Sequence, residues 1–161
     1  MANALVLHII VTGIGATLLM DGWSACQKRL LHVPPLNYGL VGRWLLWLVR
    51  GKVRHNTILS IPRVRGENFT GWAFHYLTGI LFAGIPFLLQ GSVWLHEPLL
   101  LTGVLTGLLT LPAPWLVMQP ALGFGLAASR TPRPWRGRVL SLLAHLAYGL
   151  GLYGAALLYP F

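Results

Sequence analysis

His75 and His145 are the residues whose type and spacing most readily suggest chemistry. His75, Gly79 and Gly84 recur as His145, Gly149 and Gly154 at identical spacings. Imidazole titrates near neutral pH and is a common ligand atom donor. Asp21 and Gln119 are expected at a similar level of the fold, with Tyr76 and Tyr148 able to supply hydroxyls nearby. Three roles suit this set. The histidines could hydrogen-bond to Asp21, Gln119 or backbone and specify helix packing. They could line a polar pocket or proton-linked path for a small solute. Alternatively, His75 and His145 could be the two axial ligands of a haem b in an electron-transfer subunit. Gly79 and Gly149, one turn away, would then admit the flat ring, and Arg65, Arg136 or Arg138 would meet its propionates. No Cys-x-x-Cys-His run for covalent haem attachment occurs.

Other chemistry is sparsely represented. There is no phosphate-binding Gly-x-x-x-x-Gly-Lys-Ser/Thr loop, no His-Glu-x-x-His and no Gly-x-Ser-x-Gly. Asp21, Glu67 and Glu97 are the only acidic residues, too few to favour metal-assisted phosphoryl chemistry. Catalysis is therefore not expected, and no catalytic or metal-ligating residue is assigned. His8 and the His96-Glu97 pair read as surface residues near the outer face. His32 and His55, in a basic loop, read as solvated or lipid-facing. Cys26 is the single cysteine, which excludes an intrachain disulfide.

The elements that must position these residues are apolar helices. Of 161 residues, 55% are hydrophobic and only 9% charged, against about 25% charged in a soluble domain. Mean hydropathy is +0.66. Segments of about 20 apolar residues cross a bilayer as helices. Four qualify, at about 4–23, 69–90, 99–120 and 139–159. The expected fold is an all-α integral membrane protein, a single membrane domain built as a four-transmembrane-helix bundle. All twelve Lys and Arg residues lie in the connecting stretches 24–68 (eight) and 121–138 (four), with none elsewhere. Basic loops stay cytoplasmic, so both termini are expected outside. No basic residue precedes the first span, and Lys28-Arg29 follow it, so that span is not expected to be a cleaved signal. The net charge of +9 is read as an anchor to anionic headgroups rather than as a nucleic-acid surface.

Counting along the spans puts His75 and His145 each six residues from the cytoplasmic end, about 9 Å deep. The two halves of the chain also look alike. Thr12-Gly13 opens the first span as Thr102-Gly103 opens the third, and Arg65-Gly66 and Arg136-Gly137 precede the second and fourth. This predicts a parallel duplication of a two-helix hairpin. Small-xxx-small patterns such as Gly103-xxx-Gly107 predict close helix contacts, and a leftover face of that kind would allow a homodimer. Pro112, Pro114 and Pro120 predict a bent or broken third span. In the first cytoplasmic loop, Arg43, Trp44, Trp47 and Arg50 suit an interfacial helix lying among headgroups.

Several stretches carry a family resemblance. They are Met20-Asp21-Gly22-Trp23, Asn37-Tyr38-Gly39-Leu40-Val41-Gly42-Arg43-Trp44, Gly71-Trp72-Ala73-Phe74-His75-Tyr76, Met118-Gln119-Pro120 and Ala128-Ser129-Arg130-Thr131-Pro132-Arg133-Pro134. Through them the chain resembles, almost end to end, small bacterial inner-membrane proteins classed as a domain of unknown function. The resemblance implies a multi-pass protein of the bacterial inner membrane and assigns no substrate; in that membrane the outward termini expected from the basic loops would be periplasmic. The reading reached is binding or transport of a small solute at Asp21, His75, Gln119 and His145. A haem b subunit, or a structural subunit of a larger membrane complex, stands as the alternative.

Overall fold

The structure is a computed structural model that describes residues 2–160. Among these residues it is helical with no strand. Helix α1 covers Ala2–Leu31, α2 Tyr38–Leu48, α3 Glu67–Phe82, α4 Ile85–Gln90, α5 Leu100–Thr110, α6 Gln119–Leu122 and α7 Pro134–Leu158. Four stretches are long and apolar enough to cross a membrane: Asn3–Leu31, Glu67–Leu95, Leu100–Leu122 and Pro134–Leu158. The first runs beyond the expected end at Trp23, through Lys28 and Arg29. The third changes winding where its prolines cluster. After α5 the chain passes through a π-helical segment, Ala113–Met118, before α6. Proline removes backbone donors here, and wider winding is one way to accommodate the loss.

Two compact units divide the chain. The first comprises residues 1–35, 76–110 and 142–161, and small residues govern its packing. In lipid the hydrophobic effect does not drive helices together, so close backbone approach and dispersion must. Gly13 lies so near Ile80 that a Cβ would stand 2.6 Å from its Cα. Gly103 and Gly107 meet Gly149 and His145 backbone to backbone, and Gly151 meets Ala16. Ala16, Ala83, Trp94, Tyr148, Leu152 and Ala156 form the buried centre. Tyr148 uses its hydroxyl to bond the Gly79 carbonyl at 2.5 Å, which ties α7 to α3. Leu18, Leu81, Leu109 and Leu158 point outward, as lipid-facing side chains do.

The second unit comprises residues 36–75 and 111–141. Asn37 caps α2 by accepting from the Gly39 amide at 3.0 Å, a favoured N-cap. Gly42 faces the Glu67 carbonyl and Gly71 the Tyr38 carbonyl with no room for a side chain, so α2 and the start of α3 cross with backbones in contact. Val41, Trp44, Ile58, Ala121 and Leu122 form the core. The loop after α2 is pinned twice, by Trp44 Nε1 donating to the Val53 carbonyl at 2.8 Å and by the His55 amide donating to the Ala121 carbonyl at 2.9 Å. Gly123, at φ 90°, closes α6 in the left-handed conformation that glycine adopts most cheaply.

This unit corrects the expected role of two residues in the first loop. Arg43 and Trp44 do not face headgroups: they are 6% and 7% exposed. Arg43 grips Glu67 in a bidentate pair, Nε to Oε2 at 2.7 Å and Nη2 to Oε1 at 2.8 Å. Its Nη1 donates to the carbonyls of Ile61 (2.6 Å) and Ile58 (3.3 Å), while Glu67 Oε2 also accepts from the Val64 amide at 2.9 Å. A buried charge is tolerable when paired and hydrogen-bonded, and the carboxylate beside Arg43 raises the guanidinium pKa further.

Candidate functional site

The four expected site residues divide between the units. Asp21 and His145 belong to the first, His75 and Gln119 to the second.

In the first unit, each of the four spanning stretches contributes one member of two polar pairs. Asp21 on α1 accepts a hydrogen bond from the Tyr76 hydroxyl on α3 at 3.0 Å. Thr110, the last residue of α5, meets His145 on α7, Oγ1 to Nδ1, at 2.7 Å. The direction of that second bond follows from proton counting. Thr110 has one hydroxyl hydrogen and donates it to the Gly107 carbonyl at 2.7 Å. Its oxygen must then accept, so the proton sits on His145 Nδ1. Asp21, Tyr76 and His145 are all half-buried, and Thr110 is fully buried.

In the second unit, His75 stacks on the Tyr38 ring, centroids 4.1 Å apart, with Trp72 edge-on at 5.8 Å. Gln119 begins α6, and its Oε1 is buried without a hydrogen-bond partner. His55 is also inside rather than solvated or lipid-facing, at 2% exposure. Both its ring nitrogens lack partners. Burial lowers its pKa, and the nearby Lys52 ammonium adds to the effect. His8 likewise departs from the surface role expected of it: it is fully buried in the first unit, between the rings of Phe87 and Tyr159. His96 is exposed, as expected.

The glycines next to the histidines do not open a slot for a flat cofactor. The space at Gly79 is taken by the Thr17 hydroxyl, and that at Gly149 by the Gly103 carbonyl and the Gly107 Cα. The haem reading drew on those two openings beside the histidine pair, and both glycines serve helix contact. Among the described residues no group of three or more His, Cys, Asp or Glu side chains could hold a metal ion.

Thr110 was not singled out by its sequence context, and the pairing of Arg43 with Glu67 was not read from the sequence. Thr110 sits in an ordinary apolar run. Its only visible cue is position, since the repeat places Asp21 and Tyr76 within one residue of the places equivalent to Thr110 and His145.

No curated protein and no solved structure matches the chain. Residues 10–159 match the family model described as "Protein of unknown function (DUF2938)". With nearly its whole length covered, this multi-pass, four-helix chain belongs to that family.

Proposed function

We propose that the protein binds a small polar solute inside the membrane, in a layer built from Asp21, Tyr76, Thr110 and His145. The observation that carries this reading is the pair of hydrogen bonds Asp21–Tyr76 and Thr110–His145, one in each hairpin and at matching positions. Ionisable and polar side chains within spans are costly and mark solute or proton paths. Asp21 and His145 bring a carboxyl group and an imidazole to one unit, so the layer suits a cation or a solute whose uptake is coupled to a proton. His75, stacked on the Tyr38 ring, and Gln119 are the polar candidates of their own unit.

The equivalence of the two hairpins supports the duplication. Gly13 and Thr17 meet Gly79 and Ile80 much as Gly103 and Gly107 meet Gly149. The segregation of all basic residues into 24–68 and 121–138 supports cytoplasmic loops and outward termini in the inner membrane. The test uses proteoliposomes holding a pH-sensitive dye, challenged in turn with organic cations, amino acids, sugars and carboxylates. One class should move protons or stabilise the protein, and Asp21→Asn or His145→Ala should abolish the response. If no class acts on the wild type, or if both variants respond as it does, the site has been misplaced.

A further inference from the structure

The second unit holds the whole net charge of the protein. It carries ten of the twelve basic residues and one of the three acidic ones, and that one, Glu67, is consumed by Arg43. The first unit balances Lys28 and Arg29 against Asp21 and Glu97. Nine cations in the second unit therefore have no carboxylate within their own unit.

Two of them are gathered at one place. The chain turns tightly after α2, with the amides of Arg50 and Lys52 both donating to the Trp47 carbonyl at 3.0 Å. This brings the Arg50 guanidinium to 5.2 Å and the Lys52 ammonium to 5.7 Å from the centre of the Trp47 ring. Like charges repel, and holding two of them over one ring calls for an anion between or beside them. Hydrogen-bonding capacity at the same point is also unused. Trp47 Nε1 is buried with no acceptor, and His55, edge-on to Trp47 at 6.4 Å, has both ring nitrogens buried without partners. Buried donors and acceptors left unpaired are rare and ask for a missing partner.

We propose that Trp47, Arg50, Lys52 and His55 form a binding site for the phosphate of an anionic phospholipid headgroup. The two cations neutralise the phosphodiester, and the indole N–H and the imidazole donate to its oxygens. His55 lies on the 51–57 loop that follows the two cations. Gly51, at φ 83° and exposed, gives that loop its turn. A lipid is favoured over a soluble anion because the site lies between two membrane-spanning stretches and is flanked by exposed Val49 and Val53. A headgroup would present phosphate and acyl chain to such a surface together.

The test is retention of lipid by purified full-length protein in a neutral detergent, counted by native mass spectrometry. Phosphatidylglycerol, phosphatidylcholine and inorganic phosphate are compared at equal phosphate concentration. Wild type should retain phosphatidylglycerol preferentially. Arg50→Gln with Lys52→Gln should weaken retention about thirtyfold at low ionic strength, roughly fivefold for each cation. Trp47→Phe, which keeps the ring and removes the donor, should weaken it by a smaller factor. A control pair on the other basic stretch, Arg133→Gln with Arg136→Gln, should change it less than threefold, and equal thermal unfolding of the two double variants excludes misfolding. Equal retention of phosphatidylglycerol and phosphatidylcholine, or an equal loss in the control pair, overturns the site. Binding of inorganic phosphate as tight as that of the lipid overturns the lipid assignment.

Discussion

Substituting Glu67 tests the buried ion pair with the largest expected effect. Glu67→Gln removes one charge with almost no change of shape. Arg43 cannot shed its proton, so it stays charged, 6% exposed, with the carbonyls of Ile58 and Ile61 and the single oxygen of the new amide as acceptors. One of the two hydrogen bonds to Arg43 is replaced by facing donors, at about 1.5–3 kcal/mol, and the other keeps only a neutral acceptor. Breaking one side of a buried pair costs about 3–5 kcal/mol by the same reasoning. Arg43→Met should cost at least as much. It leaves the Glu67 carboxylate with the Val64 amide alone and strands the two carbonyls that Arg43 had satisfied. The double variant Arg43→Met/Glu67→Gln has no uncompensated charge, so it should be more stable than the sum of the single losses by about 2 kcal/mol or more. Equilibrium unfolding in mixed micelles, followed by tryptophan fluorescence, supplies all four corners of this cycle. Single losses below about 1 kcal/mol, or additive losses, would show that the pair is solvated and that α2 is not anchored through it.

Three further outcomes follow from the same geometry. His55 has a lowered pKa through burial and Lys52, so unfolded chains bind its proton more readily than folded ones. Stability should therefore fall as pH drops below about 6.5, and His55→Leu should flatten that slope in pH-dependent unfolding. Gly42→Ala pushes a methyl group into the Glu67 carbonyl and within 2.6 Å of the Gly71 amide nitrogen; the backbones must separate, at about 1–3 kcal/mol, measured in the same assay. Because Gly79 and Gly149 are filled by Thr17 and Gly103, protein expressed in haem-replete cells and purified in mild detergent should show no Soret band, and a stoichiometric band would restore the haem reading.

Much of the architecture is legible along the chain because its causes are local. Span length and apolar character define the four crossing helices, and Pro112, Pro114 and Pro120 mark the change of winding in the third. Close packing at Gly103 and Gly107 is legible from small-residue spacing. What fills the space beside each glycine was not, since a threonine hydroxyl or a carbonyl from another helix is a tertiary neighbour. The same limit hid the Arg43–Glu67 pair. Its members lie 24 positions apart, and a lone arginine in a basic loop has the same appearance as a topology signal. His55 read as solvated for that reason, because only the fold around Ala121 and Trp47 buries it. The Asp21–Tyr76 bond was half legible, with both residues named and their pairing left open. Thr110 offered no cue beyond its place in the repeat.

Aqueous access to the polar layer is the most direct measure of whether Asp21 and His145 belong to a solute site. Cys26 is the only cysteine and is exposed, so Cys26→Ser gives a clean background for single Asp21→Cys, His145→Cys and Leu109→Cys variants in membrane vesicles. A small water-soluble thiol reagent reacts with the thiolate, which forms where water reaches the sulfur. Asp21→Cys and His145→Cys should react at least about tenfold faster than the lipid-facing Leu109→Cys, and an added ligand of the active solute class should slow them. Labelling of both no faster than Leu109→Cys would contradict a solute site and leave the two hydrogen-bonded pairs as packing devices.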